Sequence, residues 1–313
     1  MAAFRPRGVL RGVAGLLILL LSAVLGGCAL HVDDPLALPD RGAPSVALDV
    51  PFFAQEEYQC GPAALAMALG WSGDPATPDG LAPEVYTASQ KGSLQPAMVA
   101  AARRHGRIAY PLAGHRDLAA ELEAGNPVVV LLNLGLSWHP VWHYAVVVGY
   151  DRAAGEILLH SGATRLKRYS LSLFQNVWAR ADYWGLLVLP PDRLPAAPDE
   201  AAWLSAAVGL ERAGRTGAAL TAYETATGRW PASFEAWMGV GNASYAQGLA
   251  SAAADAFARA AAIEPGNGMA YNNLAYALAR LGRKAEAVAA AEKAVACGGP
   301  LAESFRRTLD EIR

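Results

Sequence analysis

Gln55-Glu56-Glu57-Tyr58-Gln59-Cys60-Gly61-Pro62-Ala63-Ala64-Leu65 places a cysteine where a polar stretch gives way to strong helix formers. Proline suits the first turn of a helix, where its missing N–H has no partner to lose, and the Ala- and Leu-rich residues 63–69 favour propagation. Cys60 therefore falls at or just before a helix N-terminus. Unpaired backbone N–H groups and the helix dipole there favour a thiolate, which makes the sulfur a nucleophile. A solitary cysteine is more often a small buried side chain, so a catalytic reading needs partners elsewhere in the chain.

Such partners follow downstream. Trp142-His143-Tyr144-Ala145-Val146-Val147-Val148-Gly149-Tyr150-Asp151 reads as a buried strand with His143 at its mouth. After a turn over residues 151–155, Glu156-Ile157-Leu158-Leu159-His160-Ser161-Gly162 reads as a second strand. Pairing of the two as a hairpin would set His143 near His160 or Ser161.

Together the pattern Gln-x4-Cys-Gly-Pro-Ala-Ala and His-Tyr-x4-Gly-Tyr-Asp resembles the peptidase C39-like branch of the papain-type cysteine peptidases, over residues 48–192. That resemblance implies an α+β papain-like domain with Cys60 as nucleophile and His143 as general base and later acid. It makes Gln55 the side-chain donor of an oxyanion hole. Two positions depart from the family pattern. Gln55 stands five residues before Cys60 rather than the more usual six, and the place that normally offers Asp or Asn to orient the histidine holds His160-Ser161. A neutral imidazole can accept a hydrogen bond, as in the Cys-His-His peptidases of the NlpC/P60 type, so His160 is the expected third member, with Ser161 as the alternative.

Elsewhere in this domain, helices are expected over residues 94–104 and 116–124, and strands over 127–134, 143–150, 157–160 and 184–189. Trp138 and Trp142 flank the histidine and either wall the site or fill the core. His139 falls in a loop near the site, and His105 and His115 in polar, exposed stretches. No histidine has thiols or carboxylates at metal-ligand spacing, so neither a metal nor another cofactor is expected.

From residue 199 the chain becomes Ala-rich and repeats with a period of 34, the length of a tetratricopeptide unit. Trp203, Trp237 and Tyr271 share one slot, and Ala219, Ala253 and Ala287 another. Pro231 and Pro265 close two units and Gly299-Pro300 the third. Residues 199–313 are thus expected to form an all-α domain of three tetratricopeptide repeats, with a cap helix at residues 301–313. Its groove would bind a peptide or partner protein, or else its face would dock on the neighbouring domain.

At the other end, Arg5, Arg7 and Arg11 precede residues 13–25, which carry no charge. The run is shorter than the ~20 residues that span a bilayer and ends in Leu25-Gly26-Gly27-Cys28, so residues 1–27 read as a signal peptide. The ending resembles the lipobox of bacterial lipoproteins, which implies acylation of Cys28 and a lipid anchor in the membrane. Ala29, rather than Asp, implies the outer membrane, with the protein facing the periplasm. Residues 28–47, with Pro35, Pro39 and Pro44, read as a tether. With Cys28 spent on lipid, Cys60 and Cys297 remain as thiols in different domains.

At 313 residues, 53% hydrophobic and 17% charged, the chain is long and apolar enough for two cores. A formal charge of -2 without basic runs excludes nucleic acid as a partner class. The function expected from sequence is a lipid-anchored periplasmic cysteine peptidase or amide hydrolase working through a thioester on a peptide or protein substrate. The alternative is an inactive peptidase-like assembly or docking lipoprotein.

Overall fold

The computed structural model describes residues 38, 42–55, 59–112 and 114–313. The expected signal peptide, Cys28 and most of the expected tether therefore lie outside the described residues. No described helix is long and apolar enough to cross a membrane.

The first domain runs β1 (Ser45–Ala47), α1 (Cys60–Trp71), α2 (Pro78–Val85), β2 (Tyr86–Thr87), β3 (Gly92–Ser93), α3 (Gln95–Arg104) and β4 (Ile108–Pro111). It continues with α4 (Leu118–Glu123), β5 (Val128–Asn133), β6 (Trp142–Asp151), β7 (Glu156–Ser161), β8 (Thr164–Ser170), α5 (Leu171–Ala179) and β9 (Gly185–Leu189). Strands β2 and β3 form a small separate ribbon, and the others form one antiparallel sheet in the order β4-β9-β5-β6-β7-β8, with β1 also paired to β6.

Alternation along the central strands builds two cores, one on each face of the sheet. Val128, Val130 and Leu132 of β5 pack with Leu118, Leu122, Phe174 and Trp178 from α4 and α5. Val129 and Leu131 pack with Val146, Val148 and the buried face of α1. Residues 61–69 of α1 are buried without interruption, which is why this helix is apolar all round rather than amphipathic: it is enclosed by the sheet on one side and α2 and α3 on the others.

The second domain consists of α6 (Glu200–Arg212), α7 (Thr216–Arg229), α8 (Phe234–Ala246), α9 (Ala250–Ile263), α10 (Gly268–Arg280), α11 (Lys284–Cys297) and α12 (Ala302–Ile312). The repeat reaches down to the caps. Asp199, Ser233 and Asn267, one period apart, each accept a backbone N–H from the first turn of α6, α8 and α10 at 2.8, 3.1 and 3.2 Å. Gly239 and Gly241 leave no room for a Cβ against the rings of Tyr223 and Phe257, so adjacent helix pairs close directly on aromatic side chains. Phe305 and Leu309 of α12 cover the end of the last pair.

The two domains share a core. Trp203, Ala206, Ala207 and Leu210 of α6 belong to the same apolar cluster as Ile108, Tyr110, Leu187 and Leu189 of β4 and β9. Polar contacts reinforce the join: Tyr110 Oη accepts the Asp199 N–H at 3.1 Å, Thr225 Oγ1 donates to Pro191 O at 3.1 Å, and Arg215 Nε donates to Arg104 O. Strand β4 lies at the sheet edge, and α6 covers it, which removes an exposed apolar edge. Of the two roles expected for the repeats, docking on the neighbouring domain is filled by the first helix pair.

Candidate active site

Cys60 is the first residue of α1 and is partly exposed. The helix opens with no side-chain cap, and its first internal bond runs from Ala63 N–H to Gln59 O at 3.1 Å. The N–H groups of Cys60 and Gly61 therefore stay outside the helical ladder, while Pro62 contributes none. Gly61 is required by proximity, because a Cβ there would run into the Oγ and Cβ of Ser93.

Beside the thiol runs a cleft of about 800 Å³ lined by Cys60, Gln55, His143, Tyr144, Ser93 and Gly162 among others. The Gln55 amide is fixed from two sides. Its Oε1 accepts the Gly162 N–H at 2.9 Å, and its Nε2 donates to Tyr144 O at 3.2 Å, while the Gln55 N–H donates to Gly162 O at 3.0 Å. A carboxamide carries two N–H bonds, and among the described residues only one of them has an acceptor, so one Nε2 hydrogen faces a ligand in the cleft. The five-residue spacing to Cys60 thus still delivers Gln55 to the cleft.

His143 sits near the start of β6, opposite Leu132 of β5, and its Nε2 lies 2.9 Å from Ser161 Oγ. For Nδ1 to take a proton from the thiol, Nε2–H must donate and Ser161 Oγ accept. Among the described residues, thiol and imidazole share the cleft without a hydrogen bond between them. Burial first, and the Lys167 ammonium second, hold the His143 pKa down to about 4. The imidazole is therefore neutral at pH 7 and able to act as a base.

His160 corrects the sequence expectation. Its Nε2 donates to Val50 O at 3.2 Å, its Nδ1 accepts the Leu166 N–H at 3.3 Å, and Phe52 packs edge-on against the ring at 5.3 Å. With both nitrogens engaged, the ring has none left for His143. The residue facing His143 is the alternative weighed from sequence, Ser161, a neutral hydroxyl where a carboxylate would favour the imidazolium. His160 instead ties the segment before α1 to β7 and β8.

The rim is apolar. Trp138 is 81% and Trp142 53% exposed, so neither fills the core. Their loop is braced at its base by Asn133 Oδ1, which accepts the Gly135 and Val141 N–H groups at 3.0 Å, and by Arg180 Nη1, which donates to Gly135 O at 2.6 Å. His105 and His115 are less exposed than their sequence context suggests. His105 lies 3.0 Å from Asp74 and 3.2 Å from Glu84, and His115 stacks on Tyr183 with ring centroids 4.4 Å apart. Groups the sequence reading passed over are Lys167, Ser93 and the Tyr144 hydroxyl.

An antiparallel sheet with a cysteine-headed helix on one face and a histidine on the neighbouring strand defines a papain-like α+β domain, here followed by an all-helical repeat array. The profile of the Peptidase_C39 like family matches residues 47–185, and the profile described as tetratricopeptide repeat matches residues 204–268 and 264–302. The chain thus carries a C39-like domain followed by tetratricopeptide repeats. A comparison with curated proteins found no match.

Among solved structures, MamA is 21% identical over 36% of this chain and 66% of its own, with a TM-score of 0.35. This chain spans just under two thirds of that protein. The Sgt2 TPR domain from Aspergillus fumigatus is 20% identical over 37% of this chain and 78% of its own, at 0.35. A putative C39-like peptidase from Bacillus anthracis is 19% identical over 46% of this chain and 97% of its own, at 0.40.

Proposed function

We propose that this protein is a cysteine-type amide hydrolase acting on peptides, anchored by lipid at Cys28 to the periplasmic face of the outer membrane, with its repeats binding a peptide or partner protein. The observation that carries the catalytic reading is the convergence of Cys60, His143, the clamped Gln55 amide and two first-turn N–H groups outside the helical ladder on one cleft. Nucleophile, base and oxyanion donors are the parts that acyl transfer requires.

In this mechanism His143 is neutral and accepts the thiol proton as Cys60 Sγ attacks the scissile carbonyl carbon. The carbonyl electron pair moves to oxygen, where Gln55 Nε2 and the Cys60 N–H receive it. Collapse expels the amine with the proton from His143 and leaves a thioester. Water, deprotonated by the same imidazole, then releases the acid and restores the thiol. Because burial and the Lys167 ammonium disfavour the imidazolium, the pair works by general-base transfer rather than as a preformed thiolate–imidazolium pair.

For the repeats, a small pocket of about 190 Å³ between α8 and α10 is lined by Asn242, Tyr245, Asn273 and Tyr276, with Asn273 Nδ2 donating to Asn242 Oδ1 at 3.1 Å. Such side chains suit an extended peptide backbone.

The enzyme reading is tested by labelling the full-length chain with iodoacetamide at pH 7. Cys60 should react about tenfold or more faster than Cys297, and His143→Ala should remove the difference. A second reading, a docking protein without turnover, is favoured by the absence of a carboxylate at Ser161. Equal rates at both cysteines would select it.

A further inference from the structure

We propose that the Tyr144 phenol is a further catalytic hydrogen-bond donor, which binds the oxyanion formed during acyl transfer at Cys60. The inference rests on the acyl-transfer reading of the cleft and adds a residue to it.

Tyr144 is 2% exposed, and its hydroxyl is buried without a hydrogen-bond partner among the described residues. A buried hydroxyl left unsatisfied costs about 1–3 kcal/mol, so such a group in a native fold requires a reason. Its position supplies one. The side chain lines the cleft beside Cys60, packs in the same cluster as the thiol, and is held edge-on against Trp184 with ring centroids 5.7 Å apart. The backbone of the same residue accepts the Gln55 amide, so one strand position anchors one oxyanion donor and supplies another.

The hydroxyl also stays protonated. Burial first, and the charge of an ionised Cys60 second, push its pKa above the ordinary phenol range, so it donates at every pH where the enzyme works. During attack the S–C bond forms, the carbonyl π pair becomes an alkoxide, and the thiol proton moves to His143. The phenol keeps its proton and stabilises the new negative charge. On collapse the C=O bond reforms and the hydrogen bond weakens, so this donor favours the transition state over the ground state.

The test compares two reactions of Cys60 in the full-length chain. Acylation by p-nitrophenyl acetate passes through an oxyanion, whereas alkylation by iodoacetamide does not. Tyr144→Phe should slow acylation about tenfold while leaving alkylation unchanged, the loss of one hydrogen bond of roughly 1.4 kcal/mol. Its melting temperature should equal or exceed that of the wild type, since an unpartnered group has been removed. Unchanged acylation, or an equal fall in both reactions, would overturn the assignment while leaving Cys60 reactive. Wild-type Cys60 that takes neither reagent faster than Cys297 would overturn the enzyme reading and this inference with it.

Discussion

His143 Nε2 lies 2.9 Å from Ser161 Oγ, where an uncharged hydroxyl occupies the position from which a carboxylate would stabilise the imidazolium. Burial and Lys167 depress the His143 pKa, and the Ser161 hydroxyl adds no negative charge to oppose them. Ser161→Asp should therefore raise the acid limb of the Cys60 acylation profile from about pH 4 by roughly 1–3 units. The pH dependence of p-nitrophenyl acetate burst rates checks this. An unmoved limb would mean that His143 is not the group whose ionisation the profile reports.

The same depressed pKa links pH to stability. Above pH 6.5 His143 is neutral in folded and unfolded chains and has no effect on the balance. Between 6.5 and about 4 the unfolded chain binds the proton more readily, so stability falls as pH falls through that window. The loss is on the order of 3 kcal/mol at most by pH 4. Glu121, whose carboxyl burial raises, acts in the opposite sense, so the comparison must be with His143→Gln. Urea melts of both proteins at pH 7 and pH 4.5 should show the wild type losing more than the variant.

Gly61 is needed because Ser93 stands where its Cβ would be. Gly61→Ala should destabilise the fold by about 1–3 kcal/mol through overpacking and slow Cys60 acylation by displacing Ser93 from the cleft wall. Adding Ser93→Gly should recover most of the stability, as thermal melts of the single and double variants would show.

Gln55 is a clamp and, in the proposed mechanism, also a donor. Gln55→Ala removes the bonds to Gly162 and Tyr144 and should cut acylation by about 10²–10³ while alkylation by iodoacetamide changes far less. Parallel rate measurements with the two reagents separate the roles.

The continuity of the core from β4 to α6 predicts cooperative unfolding. Trp203 is fully buried and its Nε1–H donates to Ala222 O at 2.8 Å, so Trp203→Ala should cost about 3–5 kcal/mol. The peptidase-like domain should shift with the repeats in a single transition, followed by circular dichroism and by the accessibility of Cys60. Two separated transitions would contradict a shared core.

How far the sequence carried these features depended on which physical signal each residue left. The period of 34 is visible because every repeat must solve the same packing problem, and Asp199, Ser233 and Asn267 cap the same helix each time. Strands β5 and β6 show as unbroken apolar runs because both faces of the sheet are covered. Strand β8 left no such trace, since Thr-Arg-Leu-Lys-Arg-Tyr-Ser is mostly exposed and pairs only at the edge. Helix α2 was masked by Pro78 and Pro83. At the candidate site, the meeting of Cys60, Gln55 and His143 at one cleft was legible from local motifs. The choice between His160 and Ser161 was not, because it turns on Val50 and Leu166, whose contacts with the His160 ring exist only in the folded chain. The Tyr144 hydroxyl was illegible for the same reason: that it has no partner among the described residues is a property of packing.

The most direct test of acyl transfer at Cys60 is mass spectrometry of the full-length chain quenched in acid during reaction with p-nitrophenyl acetate, followed by peptide mapping. One acetyl group is expected as a thioester on Cys60, strongly reduced in His143→Ala and absent in Cys60→Ser. An unmodified Cys60, or acetylation that is equal at Cys297 and indifferent to His143, would contradict acyl transfer at Cys60.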